Sequence, residues 1–186
     1  MTRTLMLLRH AKSGWKDNSL RDFDRPLKKK GKQTAKLVGK LIAHSGYQPD
    51  IILSSPAKRA KKTAKLVKKH SHHNGPVHYV DAFYMAEPGD YIHSLRSLSD
   101  DIDSVMLVGH NPGMEDLLCL LEGKFSPLST GALAILELEL SHWSDFSSST
   151  VSKLIQFIDP EKVDLQELEV KMAKASKDKD KVDKKE

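Results

Sequence analysis

Thr4-Leu-Met-Leu-Leu-Arg-His10 decides the fold: four consecutive apolar residues stop abruptly at an arginine and a histidine. A run that short and that uniformly apolar reads as a strand buried on both faces, the kind that parallel sheets bury under helices. Runs of strand length recur at Asp50-Ile-Ile-Leu53, Val77-His-Tyr-Val80, Ser104-Val-Met-Leu-Val108, Ala132-Leu-Ala-Ile-Leu136 and Lys153-Leu-Ile-Gln-Phe-Ile158. Helical patterns lie between them. Residues 27–45 place Thr34, Leu37, Val38, Leu41 and Ile42 on one face, with lysines mostly elsewhere. Pro56 suits the first turn of a helix running to about Lys69, with Ala57, Ala60, Ala64 and Val67 inward; Pro88 to Leu98 and Pro112 to Leu121 supply two more. Strands alternating with helices predict a three-layer α/β/α sandwich around a mostly parallel sheet.

At 186 residues, 39% hydrophobic and 30% charged, the chain reads as one ordinary globular domain, which excludes collagen-like, wholly disordered and coiled-coil classes. One cysteine, Cys119, excludes an intramolecular disulfide and a Cys-based zinc site and suits a reducing compartment; within Leu117-Leu-Cys-Leu-Leu121 it reads as core. The apolar run before Arg9 is too short for a signal peptide, and no window approaches the roughly 18 apolar residues of a membrane span. The expectation is a cytoplasmic protein with no membrane partner. The expected organisation is an α/β domain over 1–160, an amphipathic helix over 161–175 contacting through Leu165, Leu168 and Met172, and a disordered charged tail over 176–186. Ser71-His-His-Asn-Gly-Pro76 reads as a solvated turn, since no carboxylate or cysteine joins its histidines at metal-ligand spacing.

The net charge of +5 hides an asymmetry. Residues 1–80 carry 19 Lys+Arg against 4 acids, residues 81–159 carry 3 against 13, and residues 160–186 carry 8 of each. Either solvated basic helices partly neutralise an acidic second half, or a positive surface attracts phosphate, nucleic acid or an acidic protein.

Three groups suited to anions stand at corresponding places. Arg9-His10 ends the first strand, Ser54-Ser-Pro56 with Arg59 follows the second, and Gly109-His-Asn-Pro-Gly113 follows the run ending at Val108. The carboxyl ends of parallel strands share one edge, where ligands bind, so two histidines and two arginines converge there. Each group precedes or begins a helix, whose free amides favour an anion. Two Arg and two His without a metal cage point to attack on a phosphoryl group: neutral imidazole is a nucleophile near pH 7, and guanidinium forks hold the equatorial oxygens.

These segments also carry a resemblance. Leu8-Arg-His-Ala-Lys-Ser-Gly-Trp15, Asp22-Phe-Asp-Arg-Pro-Leu27 with Gly31, Ser54-Ser-Pro-Ala-Lys-Arg-Ala60 with Thr63-Ala64, and Val108-Gly-His-Asn-Pro-Gly113 resemble the histidine phosphatase superfamily, in order over residues 1–140. Within it the chain is most similar to SixA-type phosphohistidine phosphatases and lacks the insertions of phosphoglycerate mutases. The resemblance implies a phosphoglycerate mutase-like fold, His10 as the nucleophile, a phosphate pocket of Arg9, Arg59 and His110, and no cofactor or metal. Ser13 stands where members often have a small polar residue near the phosphate, or else caps a turn. Arg25 either reaches the pocket mouth or pairs with Asp22 or Asp24. Thr130-Gly131 resembles a recurring feature of the SixA-like group, or is simply a turn into a strand.

The general acid is where the chain departs from larger relatives. One branch has an acidic residue directly after the second histidine, but here Asn111 stands there, which cannot donate a proton as a carboxylic acid can and is instead a candidate substrate contact. The other branch places a glutamate near Glu87, which could equally favour a helix N-terminus beside Pro88. A phosphohistidine leaves as an imidazole that protonates near neutrality, so a weak acid points towards that substrate. Trp15 could stack on a substrate ring, and Trp143 reads as a packing residue.

The expectation is therefore a metal-independent phosphatase acting on phosphohistidine in a protein. A small-molecule phosphomonoesterase of the same superfamily is the alternative within enzymes. A basic module binding phosphate or nucleic acid, carried by Lys58, Lys61, Lys62, Lys65, Lys68 and Lys69, is the alternative of another class. No helix-turn-helix, zinc finger or aromatic-interleaved basic strand accompanies that charge, which argues against nucleic acid. Oligomeric state is left open.

Overall fold

The computed structural model describes residues 2–15 and 19–182. Six strands, β1 (Thr2–Arg9), β2 (Ile51–Ser54), β3 (Val77–Tyr79), β4 (Ser104–Gly109), β5 (Leu133–Glu139) and β6 (Ser152–Ile158), form one sheet in the order β3-β2-β4-β1-β5-β6. The pairings β3-β2, β2-β4 and β4-β1 are parallel, and β5 runs antiparallel to both its neighbours. The sheet is thus mostly parallel, as the apolar runs imply.

Helices cover both faces. Leu5 and Leu7 of β1 pack with Tyr91 and Leu95 of α3 (Pro88–Arg96) and with Met114, Leu117, Leu118 and Leu121 of α4 (Gly113–Glu122). Met6 and Leu8 point the other way, into Val38, Leu41 and Ile42 of α1 (Lys29–Ser45) and Ala60, Ala64 and Val67 of α2 (Lys58–His70). The alternation of β1 therefore separates two cores, each covered by one pair of helices. Trp143 and Phe146, both fully buried, extend the α3/α4 side.

α5 (Leu165–Val182) packs Leu165 and Leu168 against the α1/α2 side, as expected. Its backbone continues helical to Val182, seven residues past the expected boundary at 175. Of the residues past that boundary, Lys177, Lys179 and Lys181 are good helix formers. Residues 183–186 and the side chain of Met172 lie outside what is described. Cys119 corrects the sequence reading, for it is only half-buried. The inward positions of α4 are 114, 117, 118 and 121, and helical period turns residue 119 to the flank. The turn at 71–76 is less solvated than expected, with Ser71 and His73 buried.

Register aligns the site. Arg9 pairs with Gly109 and Ser54 with Val108, so the carboxyl ends of β1, β2 and β4 stop level. His10 N–H then donates to Gly109 O (3.0 Å) and Ser55 N–H to Val108 O (2.9 Å), which carries the alignment one residue beyond each strand. Gly131 closes the neighbouring side. Its N–H reaches both Arg9 O and His10 O (3.2 Å each) at φ +86°, a left-handed conformation favouring glycine, and a Cβ there would meet Thr34 Cγ2 at 2.6 Å.

Candidate active site

The structure brings Arg9, His10, Arg59 and His110 together. Their imidazole rings lie 5.0 Å apart between centroids. Arg59 Nε donates to His10 Nε2 at 3.2 Å. His10 Nδ1 stands 2.9 Å from Ala11 O, an acceptor only, so the ring carries its proton on Nδ1 and presents a lone pair at Nε2. Burial, reinforced by His110, Arg59 and Arg9, outweighs the Ala11 hydrogen bond and pushes His10 down to about 3. Near pH 7 this imidazole is neutral. Thr63 fixes the loop beneath it, accepting Ala11 N–H at 3.1 Å while donating to Arg59 O at 2.8 Å.

His110 is held differently. Its Nε2 lies 2.8 Å from Ser55 Oγ, which also accepts Ala57 N–H (3.3 Å). With the Ser55 hydroxyl donating to Nε2, the proton of His110 sits on Nδ1, and Nδ1 is buried without a partner. Burial and then Arg59 push His110 down to about 4, only partly opposed by Asp22. Arg9 Nε and Arg25 Nε are likewise buried without partners among the described residues. Arg3, at the opposite end of β1, is more deeply buried yet saturated, bonding Ser141 O (2.6 Å), Asp100 O (3.1 Å) and Asp100 Oδ1 (3.3 Å). Orphaned cationic donors at one strand edge therefore mark an anion site, whereas Arg3 ties the fold.

Asp22 is the residue that sequence reasoning missed. Arg59 donates to its carboxylate (2.9 Å) and its carbonyl (2.6 Å), Arg25 to its other carboxylate oxygen (2.8 Å), and the Tyr84 hydroxyl to Oδ2 (3.1 Å). Burial would raise its pKa, but the hydrogen bonds from Arg25, Arg59 and Tyr84 hold it at about 2. Arg9-His10 precedes α1 at a distance: among the described residues between them, the one helical element is a short 3₁₀ turn at Asp22–Asp24, within the loop over 19–28. That loop lays Asp22 over Arg59. In the sequence, Asp22 is marked only by its place three residues before Arg25, and Tyr84 only by its aromatic neighbour Phe83.

The remaining candidates fall around this centre. Arg25 stacks its guanidinium 3.9 Å over the Trp15 ring, which is mostly exposed. Asn111 donates to Leu128 O (3.0 Å), the carbonyl that also takes Arg9 Nη1 (2.7 Å), so it positions Arg9. The Asn111–Pro112 peptide is cis. Ser13 bridges through its backbone to Leu27, and Thr130 lies half-buried in the turn at Gly131. Glu87 is exposed and forms the N-cap of α3, its N–H held by Asp90 at 2.8 Å. Among the described residues, no cluster of three or more His, Cys, Asp or Glu could hold a metal, the 71–76 turn included, and no helix is long and apolar enough to cross a membrane.

Acid should weaken the fold through these histidines. Both fold with pKa values below the ordinary 6.5, so the unfolded chain binds their protons first, and stability is complete above about 6.5 and lost as pH falls towards about 4. Each costs roughly 1 kcal/mol per pH unit in that window. Urea midpoints followed across it should fall steadily, and His10→Gln should flatten the slope; a midpoint independent of pH there contradicts the buried neutral pair.

The family model of the histidine phosphatase superfamily (branch 1) matches residues 5–91. An uncharacterized chloroplastic protein of Arabidopsis thaliana is 35% identical over 78% of this chain and 71% of its own length. An uncharacterized protein of Mycobacterium tuberculosis is 30% identical over 74% of this chain and 90% of its own. The crystal structure of the putative phosphohistidine phosphatase SixA from Agrobacterium tumefaciens superposes with a TM-score of 0.74 at 33% identity, covering 85% of this chain and 98% of that one.

Proposed function

Since the chain belongs to the histidine phosphatase superfamily (branch 1), we propose that it hydrolyses phosphohistidine in a protein through a phosphohistidine intermediate on His10. The observation that carries this reading is the neutral His10 ring with its Nε2 lone pair 3.2 Å from Arg59 Nε. The phosphoryl group enters where that hydrogen bond stands. Nε2 attacks phosphorus in line, the new N–P bond forms as the bond to the leaving nitrogen breaks, and the leaving imidazole takes a proton. Water then attacks the phosphorylated His10 and releases phosphate. Arg9, Arg59 and the Nδ1–H of His110 bind the equatorial oxygens as negative charge gathers there, which needs no reorganisation at the moment of reaction.

The leaving group decides between substrates. Asn111 follows His110 directly and is engaged with Leu128 O, and Glu87 caps α3 at the surface. Neither supplies the buried, poised carboxylic acid that an alkyl phosphate demands. An imidazole leaving group protonates near neutrality and needs less help. The similarity to a structure described as a putative phosphohistidine phosphatase supports the same choice.

The test is phosphate release, with EDTA present, from a histidine-phosphorylated protein, a sugar phosphate and an aryl phosphate. The phosphoprotein is expected to lead the sugar phosphate in kcat/KM by at least about a hundredfold, a margin that matched leaving-group chemistry and contacts can supply. The reverse order assigns the site to a small phosphomonoester.

A further inference from the structure

We propose that the phosphorylated partner is an acidic protein that docks along a lysine strip on α2, an inference resting on the phosphoprotein reading above. α1 and α2 contain no acidic residue between them. On α2 the buried residues are Arg59, Ala60, Thr63, Ala64 and Val67, which leaves Lys58, Lys62, Lys65 and Lys69 as one exposed stripe at helical spacing, about 16 Å long. The stripe begins one residue before Arg59, so it leads outward from the phosphate pocket itself.

Carboxylates leave the strip unpaired among the described residues. Among the described residues, the one ion pair made by a lysine of α1 or α2 is Lys40 with Glu169 (2.9 Å). The field is felt locally: after burial, Lys36, Lys69 and Lys40 hold His70 below its ordinary pKa. Across the sheet the sign reverses, for α4 opens with Glu115 and Asp116 and closes with Glu122. An acidic partner is thus drawn to one face and repelled from the other.

The rim of the pocket favours a protein over a nucleic acid. Trp15, Met85 and Phe125 expose 55%, 81% and 65% of their surface on loops that also carry site residues. Trp15 underlies Arg25, Met85 follows Tyr84, and Phe125 precedes the Leu128 carbonyl that holds Arg9. Exposed apolar side chains on loops that carry site residues, together with a basic strip leading from the pocket, match a folded protein surface with an acidic border.

The experiment compares wild type with Lys62→Glu/Lys65→Glu/Lys69→Glu on an acidic and a basic histidine-phosphorylated protein and on an aryl phosphate. A titration with the unphosphorylated acidic protein reads docking without turnover. Expected are unchanged aryl phosphate turnover, a fall on the order of tenfold or more in kcat/KM for the acidic phosphoprotein, a matching loss of binding, and a salt dependence that disappears in the variant. Equal binding of the acidic protein by both forms overturns the docking surface, as does an equal loss on the basic phosphoprotein. Self-association of wild type that the variant abolishes, or duplex DNA binding tighter than the acidic protein, also overturns it by assigning the strip to another occupant. Aryl phosphate turnover with no release from either phosphoprotein overturns the substrate reading instead, while the titration still decides the docking surface.

Discussion

His10→Ala should abolish turnover by about a thousandfold or more on aryl phosphate and phosphoprotein alike, in a protein that stays folded and still binds phosphate or vanadate. The size of the loss follows from the geometry. His10 alone offers a lone pair at the point where Arg9, Arg59 and His110 converge, and the other imidazole is turned so that its Nε2 faces Ser55. Removing the ring leaves the cationic cradle intact, so anion binding survives while the covalent route is gone. Stability near neutral pH is expected to fall modestly, since the variant loses the contacts of the ring with the Ala11 carbonyl and Arg59 Nε, while the penalty for charging this histidine arises only below about pH 6.5. Rapid quenching should trap an acid-labile phosphoryl group on the wild type and none on the variant. Residual turnover near the wild-type rate would assign the nucleophile elsewhere.

Much of this was legible because its signals are short and local. Three of the six apolar runs stop at the segments that build the site, Arg9-His10, Ser54-Ser55 and Gly109-His110, and the parallel-sheet rule then gathers them at one edge. What the runs do not encode is register; that comes from pairing Arg9 with Gly109 and Ser54 with Val108. Asp22 was hidden for a physical reason. It lies in a loop without periodicity, and its importance depends on the chain turning back to cover Arg59, 37 positions away. Ser55 appeared only within its motif, since a hydroxyl that orients an imidazole carries no spacing of its own. Glu87 had two readings, and Pro88 beside it already carried the sign of the helix N-terminus that it forms. Cys119 went astray because its neighbours were read as an apolar block, where the helical period alone would have turned it aside.

Arg59→Lys should cost on the order of a hundredfold to a thousandfold in kcat, close to the cost of Arg59→Ala, although it keeps the charge. One guanidinium here does three things at once: Nε reaches His10 Nε2 (3.2 Å), Nη1 the Asp22 carbonyl (2.6 Å) and Nη2 the Asp22 carboxylate (2.9 Å). A planar fork fixed by two contacts to Asp22 aims its third donor at the nucleophile. An ammonium is a point charge on a flexible stem and has no such third arm, so it supplies attraction without direction. Asp22→Asn separates direction from charge. The amide oxygen still accepts a hydrogen bond but no longer holds Arg59 and Arg25 as an anion does, so kcat should fall by about tenfold as the fork loosens. The same change removes a negative charge beside the phosphate pocket, since Asp22 is ionised down to about pH 2. Inorganic phosphate should then inhibit the variant more strongly than the wild type. Lower kcat with tighter phosphate inhibition is the signature expected of a residue that orients the cation, whereas lower kcat with weaker inhibition would make Asp22 part of the anion's own binding site.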